Sequence, residues 1–218
     1  MDSTDPGTSA PLLGEPLPIE LMNTIWADRD GVHDAIDGPD GAVAWLRAVG
    51  PRLTPSAPAV GAWLDAERPA GAEETAARLR GLRDALRRLA AEATEDARPD
   101  AQSAIATRDA ALTALNEACG ATPVWATLHW PSGADPTRIV RTGDLAGQAV
   151  VAMLAGQAVD LFTGGTRPQL RACLAPGCVL YFVKQHPRRE WCSAGCGNRA
   201  RVARHYQRHR VTKTDPES

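Results

Sequence analysis

The sequence predicts a mainly α-helical fold, in which a helical N-terminal domain containing one small β-hairpin is followed by a small C-terminal module. Three observations support this fold class. Apolar residues recur at helical spacing over most of residues 17–163. Between residues 124 and 130 the pattern changes to a period of two, which is typical of a strand. Four of the five cysteines then fall within 24 residues near the C-terminus, in a segment too short to form a large apolar core.

The helices of the N-terminal domain are predicted from apolar spacing and from their start and stop signals. Residues 1–16 are rich in Pro, Gly, Ser and Thr and are predicted to be a flexible tail. The first helix begins at Leu17, with Pro18 in its first turn. Four more helices are expected over residues 40–49, 59–67, 70–94 and 99–119, the last ending at Gly120. Within 70–94 a stripe of leucines, too short for a coiled coil, is expected to pack in the core: Leu79, Leu82, Leu86 and Leu89.

A hairpin and one apolar helix complete the domain. Residues 124–130 and 137–141 are predicted to pair around a turn rich in Pro and Gly. Asp144 is expected to cap a helix that ends near Phe162, and Asp160 within it favours a buried helix over a membrane span. Gly164 and Gly165 mark the domain boundary. The first residues show no secretion signal, so we expect a cytoplasmic protein without a membrane partner.

Charge is distributed unevenly along the chain. Residues 171–213 carry ten basic residues and one acid, so this segment has a net charge of +9. Because the whole chain has a net charge of −2, the remaining residues sum to −11. A basic module on an acidic body favours a polyanionic partner, although charge does not distinguish DNA from RNA.

A second group of arginines lies on the predicted helix 70–94. These residues form either an anion site or a solvated face: Arg78, Arg80, Arg83, Arg87 and Arg88. Acidic residues are interspersed among them at helical spacing, which favours i,i+4 ion pairs on a solvated face.

The clustered cysteines have the spacing Cys173-x4-Cys178-x13-Cys192-x3-Cys196. Two close pairs of thiolates that meet across a short fold suit tetrahedral zinc, and four protein ligands leave no open position for catalysis. Residues 179–183 are predicted to form a strand that pairs with 188–191, and a helix begins at Ser193. The sequence therefore predicts a treble-clef-like zinc finger over residues 168–212, with one structural zinc ion and a tail over 213–218. His186, which lies in a turn beside Pro187, is expected to be exposed.

The helix that follows the last cysteine pair divides its basic residues between two faces. At about 100° per residue, Arg199 lies on the side of Cys192 and Cys196, together with Val202, Tyr206 and His209. Arg199 is therefore expected to support the zinc site by donating to knuckle carbonyls and offsetting thiolate charge. The opposite face, and basic residues of the preceding segment, are predicted to bind nucleic acid: Arg201, Arg204, Arg208, His205, Arg188, Arg189 and Lys184. A solvated basic face is the alternative.

The string Trp191-Cys-Ser-Ala-Gly-Cys-Gly-Asn-Arg199-Ala-Arg-Val-Ala-Arg204-His-Tyr resembles the CGNR zinc finger. Residues 15–163 are similar to the ABATE domain that usually accompanies it, with Asn23-Thr24 at the Asn-Thr segment of its first helix. The resemblance implies a bacterial, stress-related transcription regulator whose finger binds DNA and whose larger domain binds a small effector. It assigns zinc to the four clustered cysteines and a supporting role to Gly197, Asn198 and Arg199.

The helical body offers a second candidate site, and it lacks the motifs of an enzyme. A pocket for a ligand is predicted at Asn23, Thr24, Trp26 and Arg29, with a buried polar pair within the core as the alternative. The remaining tryptophans are expected to fill the core or to line a cavity: Trp45, Trp63, Trp125 and Trp130. The chain shows no phosphate loop or nucleophile elbow, so we expect no catalysis. Two other hypotheses remain, namely an RNA-binding protein and a ligand-binding or enzymatic body whose finger contacts protein. The oligomeric state stays open.

Overall fold

The computed structural model describes residues 10–101, 103–143 and 145–211, without the side chains of Thr54, Asp100 and residues 209–211. Within this part of the chain, seven α-helices, three two-stranded antiparallel sheets and three short 3-10 turns follow one another. The helices are α1 (Leu17–Met22), α2 (Pro39–Leu53), α3 (Pro58–Asp65), α4 (Ala72–Ala93), α5 (Arg108–Cys119), α6 (Ala146–Thr163) and α7 (Ala194–Val211). The strands are β1 (Ile25–Ala27), β2 (Val32–Asp34), β3 (Val124–His129), β4 (Thr137–Thr142), β5 (Leu170–Ala172) and β6 (Tyr181–Val183).

Helix α4 lies at the centre of the body. It packs against α1, α2, α5 and α6, and all four leucines of its stripe are buried, as predicted. Close packing of α4 on α6 depends on Gly147, because a Cβ atom there would come within 2.3 Å of the Thr75 hydroxyl. The apolar face of α4 therefore organises the core, which confirms the mainly helical fold.

Helix α6 is long and apolar enough to cross a membrane by length and composition alone. In this fold nine of its residues are buried, and Val150, Leu154 and Ala158 have no accessible surface within the main core. The predicted cap at Asp144 falls outside the described residues. The helix is thus a core helix of the body.

The β3–β4 hairpin pairs without a bulge, with Ala126 opposite Val140. Only part of it reaches the core: Trp125 is 50% exposed and Trp130 is 67% exposed. The expectation that these tryptophans fill the core is therefore wrong for Trp125 and Trp130, whereas Trp125 lines a cleft beside α6, in agreement with the cavity alternative. Trp45 is buried in the core, and Trp63 is half-buried, with its indole donating to the Ala70 carbonyl.

Two predicted helices are shorter in the structure. The helical spacing of the first helix continues to Ile25 and Trp26, but the helix ends at Met22, and the chain then turns into the β1–β2 hairpin. The helix predicted over 99–119 begins only at Arg108, where Thr107 caps it by accepting from the Ala110 amide at 3.2 Å. Before it, the Ser103 hydroxyl accepts from the Ile105 amide and donates to the Asp84 carbonyl, so side-chain bonds hold this loop in place of a helical ladder.

The solvated-face interpretation of the α4 arginines holds only in part. Arg78 pairs with Glu74 at the surface, but Arg83 and Arg87 are buried. Arg83 donates to the Asp34 carboxylate at 2.6 Å, while Arg87 donates to backbone carbonyls, including those of Met22 and Ala101. The main partners of these two guanidinium groups, a carboxylate for Arg83 and backbone carbonyls for Arg87, come from distant segments, and helical spacing alone carries no information about such partners.

Candidate metal centre and its basic helix

The Sγ atoms of Cys173, Cys178, Cys192 and Cys196 lie within 4.8 Å of one another, and all four residues are buried. The Cys178 and Cys192 sulfurs are 3.8 Å apart, and those of Cys192 and Cys196 are 3.4 Å apart. Four thiolates around zinc at about 2.3 Å would be separated by about 3.8 Å at the corners of a tetrahedron. The cluster therefore fits one structural zinc ion with a closed ligand shell, which supplies folding energy rather than a reactive position.

The first cysteine pair lies on a tight knuckle. Cys173 directly follows β5, and its amide donates to the Leu180 carbonyl at 2.9 Å. Gly177 has a φ of 70°, a left-handed conformation that glycine adopts without strain, and it brings the Cys178 amide back to the Ala175 carbonyl. The knuckle thus directs both thiols to the same point.

The second pair lies at the start of α7. Cys192 precedes the helix and Cys196 lies in its first turn, so both sulfurs project from the same side. The Ser193 hydroxyl accepts from the Cys196 amide at 3.2 Å and thereby fixes the first turn. This arrangement agrees with the predicted helix start.

The strand pairing of the finger differs from the prediction. Strand β6 pairs with β5, whereas residues 188–191 form no strand. The reason is that the knuckle itself is the turn of the β5–β6 hairpin. Residues 188–191 are held by Arg189 instead of by strand pairing. Its guanidinium donates to the carbonyls of Val183 and Cys192 at 3.1 and 3.0 Å.

Arg98, a residue of the body, holds the zinc knuckle, and sequence reasoning did not identify it. One nitrogen of its guanidinium donates to the carbonyls of both Cys173 and Cys178 at 2.7 Å. The rest of the fork binds the Asp96 carboxylate, which also accepts from the Tyr181 hydroxyl at 2.7 Å. Arg98 is 75 residues from Cys173 along the chain, so no local spacing signals their contact.

The Asp96 carboxylate is held in its charged form. Burial by itself would raise the pKa of Asp96, but hydrogen bonds from Arg98 and Tyr181 outweigh it and lower the pKa below its usual value. Burial, with the adjacent carboxylate, raises the pKa of the Tyr181 phenol, which therefore stays a donor. Body and finger are thus joined by a buried, charge-assisted network next to the metal ligands.

The predicted ligand pocket in the first helix is not a pocket. Asn23 and Thr24 are fully buried, and the Asn23 amide side chain exchanges two hydrogen bonds of 2.9 Å with the backbone of Tyr181. Thr24 donates to the Leu21 carbonyl, and Trp26 stacks on His33, while Arg29 is exposed. Asn23 therefore pairs with a strand of the finger, and the buried polar interpretation of Asn23 and Thr24 is the correct one.

The end of the predicted N-terminal tail is folded. Glu15 is buried, and its carboxylate accepts from the Val183 amide at 3.0 Å and from Arg189 at 2.5 Å. Arg189 is consequently held by internal partners of its guanidinium, which is the arrangement of a structural residue and leaves these donors engaged away from the predicted nucleic-acid contact. The burial of Glu15 required this partner from 174 residues away, which composition does not reveal.

The Gly-Asn-Arg segment adjoins the metal centre. Arg199 donates to the Cys196 sulfur at 3.0 Å, so it offsets thiolate charge as predicted, but Arg98 and Arg189 take the carbonyls expected for it. A Cβ atom at Gly197 would lie 3.2 Å from the Trp191 ring, which leaves little room for a side chain. Asn198 accepts from Arg201 through its side-chain oxygen.

Most of the predicted nucleic-acid residues lie at the surface. Arg201, Arg204, Arg208, His205 and Arg188 are all exposed. The Arg204 guanidinium lies 5.6 Å from the centre of the Trp191 ring. Lys184 is less available, because it pairs with Glu190 at 3.0 Å, and His186 is exposed, as expected.

The inward face of α7 is narrower than predicted. Cys196 and Ala200 are buried, whereas Val202 and Tyr206 are 54% and 68% exposed. The side chain of His209 lies outside the described residues. The prediction was wrong for Val202 and Tyr206 because the finger hairpin covers only the first turns of the helix, and the last described turns extend into solvent.

Family comparisons agree with this geometry. The ABATE family, whose description is "Putative stress-induced transcription regulator", matches residues 15–165. The chain belongs to the ABATE family. A CGNR zinc finger matches residues 169–209, which include all four clustered cysteines. Comparison with curated protein sequences found no match.

The ABATE match begins at Glu15, the residue that the structure buries against the CGNR finger. The finger in turn contributes Leu170, Tyr181 and Val183 to the main core. One face of the finger hairpin therefore belongs to the core of the body, while the other face forms a separate apolar cluster around the four cysteines.

Proposed function

We propose that this protein is a cytoplasmic, zinc-dependent, DNA-binding transcription regulator whose ABATE body responds to a small effector. In this proposal the body has a regulatory role and carries out no catalytic step. The observation that carries the proposal is an exposed basic surface formed by Arg188, Arg201 and Arg204 around Trp191. We call these four residues the finger surface.

The finger surface has the chemistry of a phosphate-binding face. Arg188 and Arg201 line one shallow cleft with Trp191, at the N-terminal end of the 18-residue helix α7. Helix N-termini and arginine forks both favour phosphate oxygens. Glu190 is the one acidic residue in the basic segment 171–213, and it pairs with Lys184. Its carboxylate therefore does not neutralise the arginines of the finger surface. Duplex DNA presents phosphates at a density that suits such a surface.

Two further functions differ from DNA binding in the partner of the finger, which would be RNA or another protein. The charge of the finger would also serve RNA binding, and the exposed Val202 and Tyr206 would serve contact with protein. We favour DNA because the family description names a transcription regulator. Preference of the full chain for duplex DNA, for structured RNA or for neither separates the three hypotheses.

The test is a genomic DNA pull-down with the full, zinc-loaded chain, followed by salt-dependent titration of a recovered fragment. The triple variant Arg188→Ala/Arg201→Ala/Arg204→Ala should reduce the salt slope by about 0.9 for each arginine that contacts a phosphate. Zinc content and the thermal unfolding midpoint should change little, because these side chains are exposed.

A matched control removes the same charge from the body. Arg68, Arg78 and Arg108 are exposed, so their triple alanine variant should bind DNA as the unmodified protein does. Equal losses in both triple variants would show that net charge, and not the finger surface, carries the binding. Retention of full affinity after the finger substitutions would refute the assignment of the surface.

A further inference from the structure

A cleft of about 560 Å³ opens between the β3–β4 hairpin and α6, and none of its lining residues belongs to the finger. Its size falls in the range of small-molecule sites, about 300–1,000 Å³. The walls are mixed in polarity. Their apolar part contains Val140, which is buried, and Met153, which is half-buried, with the half-exposed Trp125 beside them. A flat apolar group of moderate size would therefore find a matching surface.

Charged side chains also line this cleft. Arg138 extends from β4 and has no ion-pair partner within the described part of the chain. Arg52 contributes a side chain that is 42% exposed, and one carboxylate, Asp160, completes the charged lining. Two guanidinium groups against one carboxylate in the lining favour an anionic group over a cationic one.

The cleft also contains the thiol of Cys119, the cysteine outside the zinc cluster. Burial raises the pKa of this thiol, so it stays neutral and adds to the apolar wall. A neutral thiol is a poor nucleophile, so a ligand in the cleft is expected to bind reversibly and without a covalent bond.

Arg52 connects the cleft to the finger. Its guanidinium donates to the Glu15 carbonyl at 2.5 Å and lies 3.6 Å from the Glu20 carboxylate. Glu20 in turn accepts from the amides of Leu13 and Glu15, so the segment 13–15 is fixed to the body from both sides. We call residues 13–15 the strap.

The far side of the strap contacts the finger. The Glu15 carboxylate binds the Val183 amide and Arg189, and Arg189 donates to the carbonyl of the zinc ligand Cys192. Three charge-assisted contacts thus connect the cleft residue Arg52 to the zinc ligand Cys192: Arg52 to Glu15, Glu15 to Arg189, and Arg189 to Cys192. A ligand that competes for Arg52 would change how the strap is held.

We propose that this cleft is the effector site and that it binds a small amphipathic organic anion, with its acid group at Arg52 and Arg138 and its apolar part against Val140 and Met153. Occupancy is transmitted through Arg52 and the strap to the zinc finger. The regulatory role of this ligand rests on the proposed function, whereas the binding of an anion and its effect on the metal site do not. Reciprocity requires that any effect of the ligand on zinc be matched by an effect of zinc on the ligand.

The test uses anilinonaphthalene sulfonate, a fluorescent amphipathic anion, and the full zinc-loaded chain. Gly156 lies on α6 and lines the cleft, and a Cβ atom there would meet no heavy atom within 4 Å. Gly156→Leu should therefore fill the cleft without disturbing the helix, and should weaken probe binding at least tenfold. Gly81→Leu on α4 is the matched control, because Gly81 is helical, exposed and equally open.

Two comparisons test whether the negative charge of the probe contributes to its binding. Arg138→Gln should weaken the probe about tenfold, the value of one charge-assisted hydrogen bond, and neutral anilinonaphthalene should bind the unmodified protein about as weakly. Probe binding that is unchanged by Gly156→Leu would overturn the site. Equal binding of the charged and neutral probes would overturn the ligand class.

Transmission to the finger is measured as the rate at which a chelator removes zinc. Saturating probe should change this rate in the unmodified protein, and Glu15→Gln should abolish the change although the probe still binds at saturating concentration. A zinc-release rate that does not respond to bound probe would overturn the transmission. None of these measurements contains DNA, so they fail or succeed independently of DNA binding.

Discussion

Replacement of Arg98 should weaken zinc binding although Arg98 is not a zinc ligand. In Arg98→Met the aliphatic volume stays, but the carbonyls of Cys173 and Cys178 lose the donor that holds both at 2.7 Å. Hydrogen bonds to a charged donor contribute about 1.5–3 kcal/mol each, so the two together contribute roughly 3–6 kcal/mol to holding the knuckle on the body. Asp96, whose side chain is 1% exposed, also loses its ion-pair partner.

Part of the stabilisation lost in Arg98→Met should appear as a lower affinity for zinc. Partners that orient metal ligands typically change affinity by about 10–100-fold, or about 1.4–2.7 kcal/mol. The measurement is a competition titration against a chelator of known affinity, with thermal unfolding of the zinc-loaded protein followed in parallel. Arg98→Lys should recover little, because an ammonium group cannot reproduce the fork that joins Asp96 to the two carbonyls.

Arg108→Met is the control for this experiment. Arg108 pairs with Glu92 at 3.1 Å, but both side chains are about half exposed, so its removal should cost at most about 1 kcal/mol and leave zinc affinity unchanged. If Arg98→Met binds zinc within twofold of the unmodified protein, the carbonyl contacts do not position the knuckle and the reasoning is refuted.

Four further predictions follow from the same structure. Elemental analysis should find one zinc per chain, lost in Cys192→Ala and kept in Cys119→Ala; unchanged zinc in the first variant would contradict the ligand set. Arg199→Ala should lower zinc affinity through the lost contact to a thiolate, and normal affinity with abolished DNA binding would place Arg199 on the recognition face instead. The fragment 17–163 should unfold without cooperativity, because it lacks the finger residues Leu170, Tyr181 and Val183 of the main core; a sharp calorimetric transition would contradict this. Asp96 has a lowered pKa in the folded protein, so its stabilising contribution is complete above the unfolded value of 3.8 and is lost as pH falls through the folded value. The difference in unfolding free energy between Asp96→Asn and the unmodified protein should therefore shrink below about pH 4, and a pH-independent difference would disprove the linkage.

Local patterns were sufficient for much of this protein. The leucine stripe of α4, the β3–β4 hairpin and the four zinc ligands were all predictable, because helical spacing, alternation and metal-ligand spacing each act within a few residues or a short module. The exposure of Arg201, Arg204 and Arg208 was also predicted, but the helical angle did not decide it, because Val202 and Tyr206 on the opposite face are exposed as well.

The tertiary structure decided the roles of the buried polar residues. Asn23, Arg87, Arg98 and Glu15 resemble pocket, surface or tail residues in the sequence, yet each is bonded to a finger residue at least 75 positions away. Buried polar groups must find partners, and the partner of a guanidinium or carboxylate is whichever backbone group the fold brings within about 3 Å. Sequence spacing does not encode these contacts, so only the folded chain shows that one face of the zinc finger belongs to the core of the body.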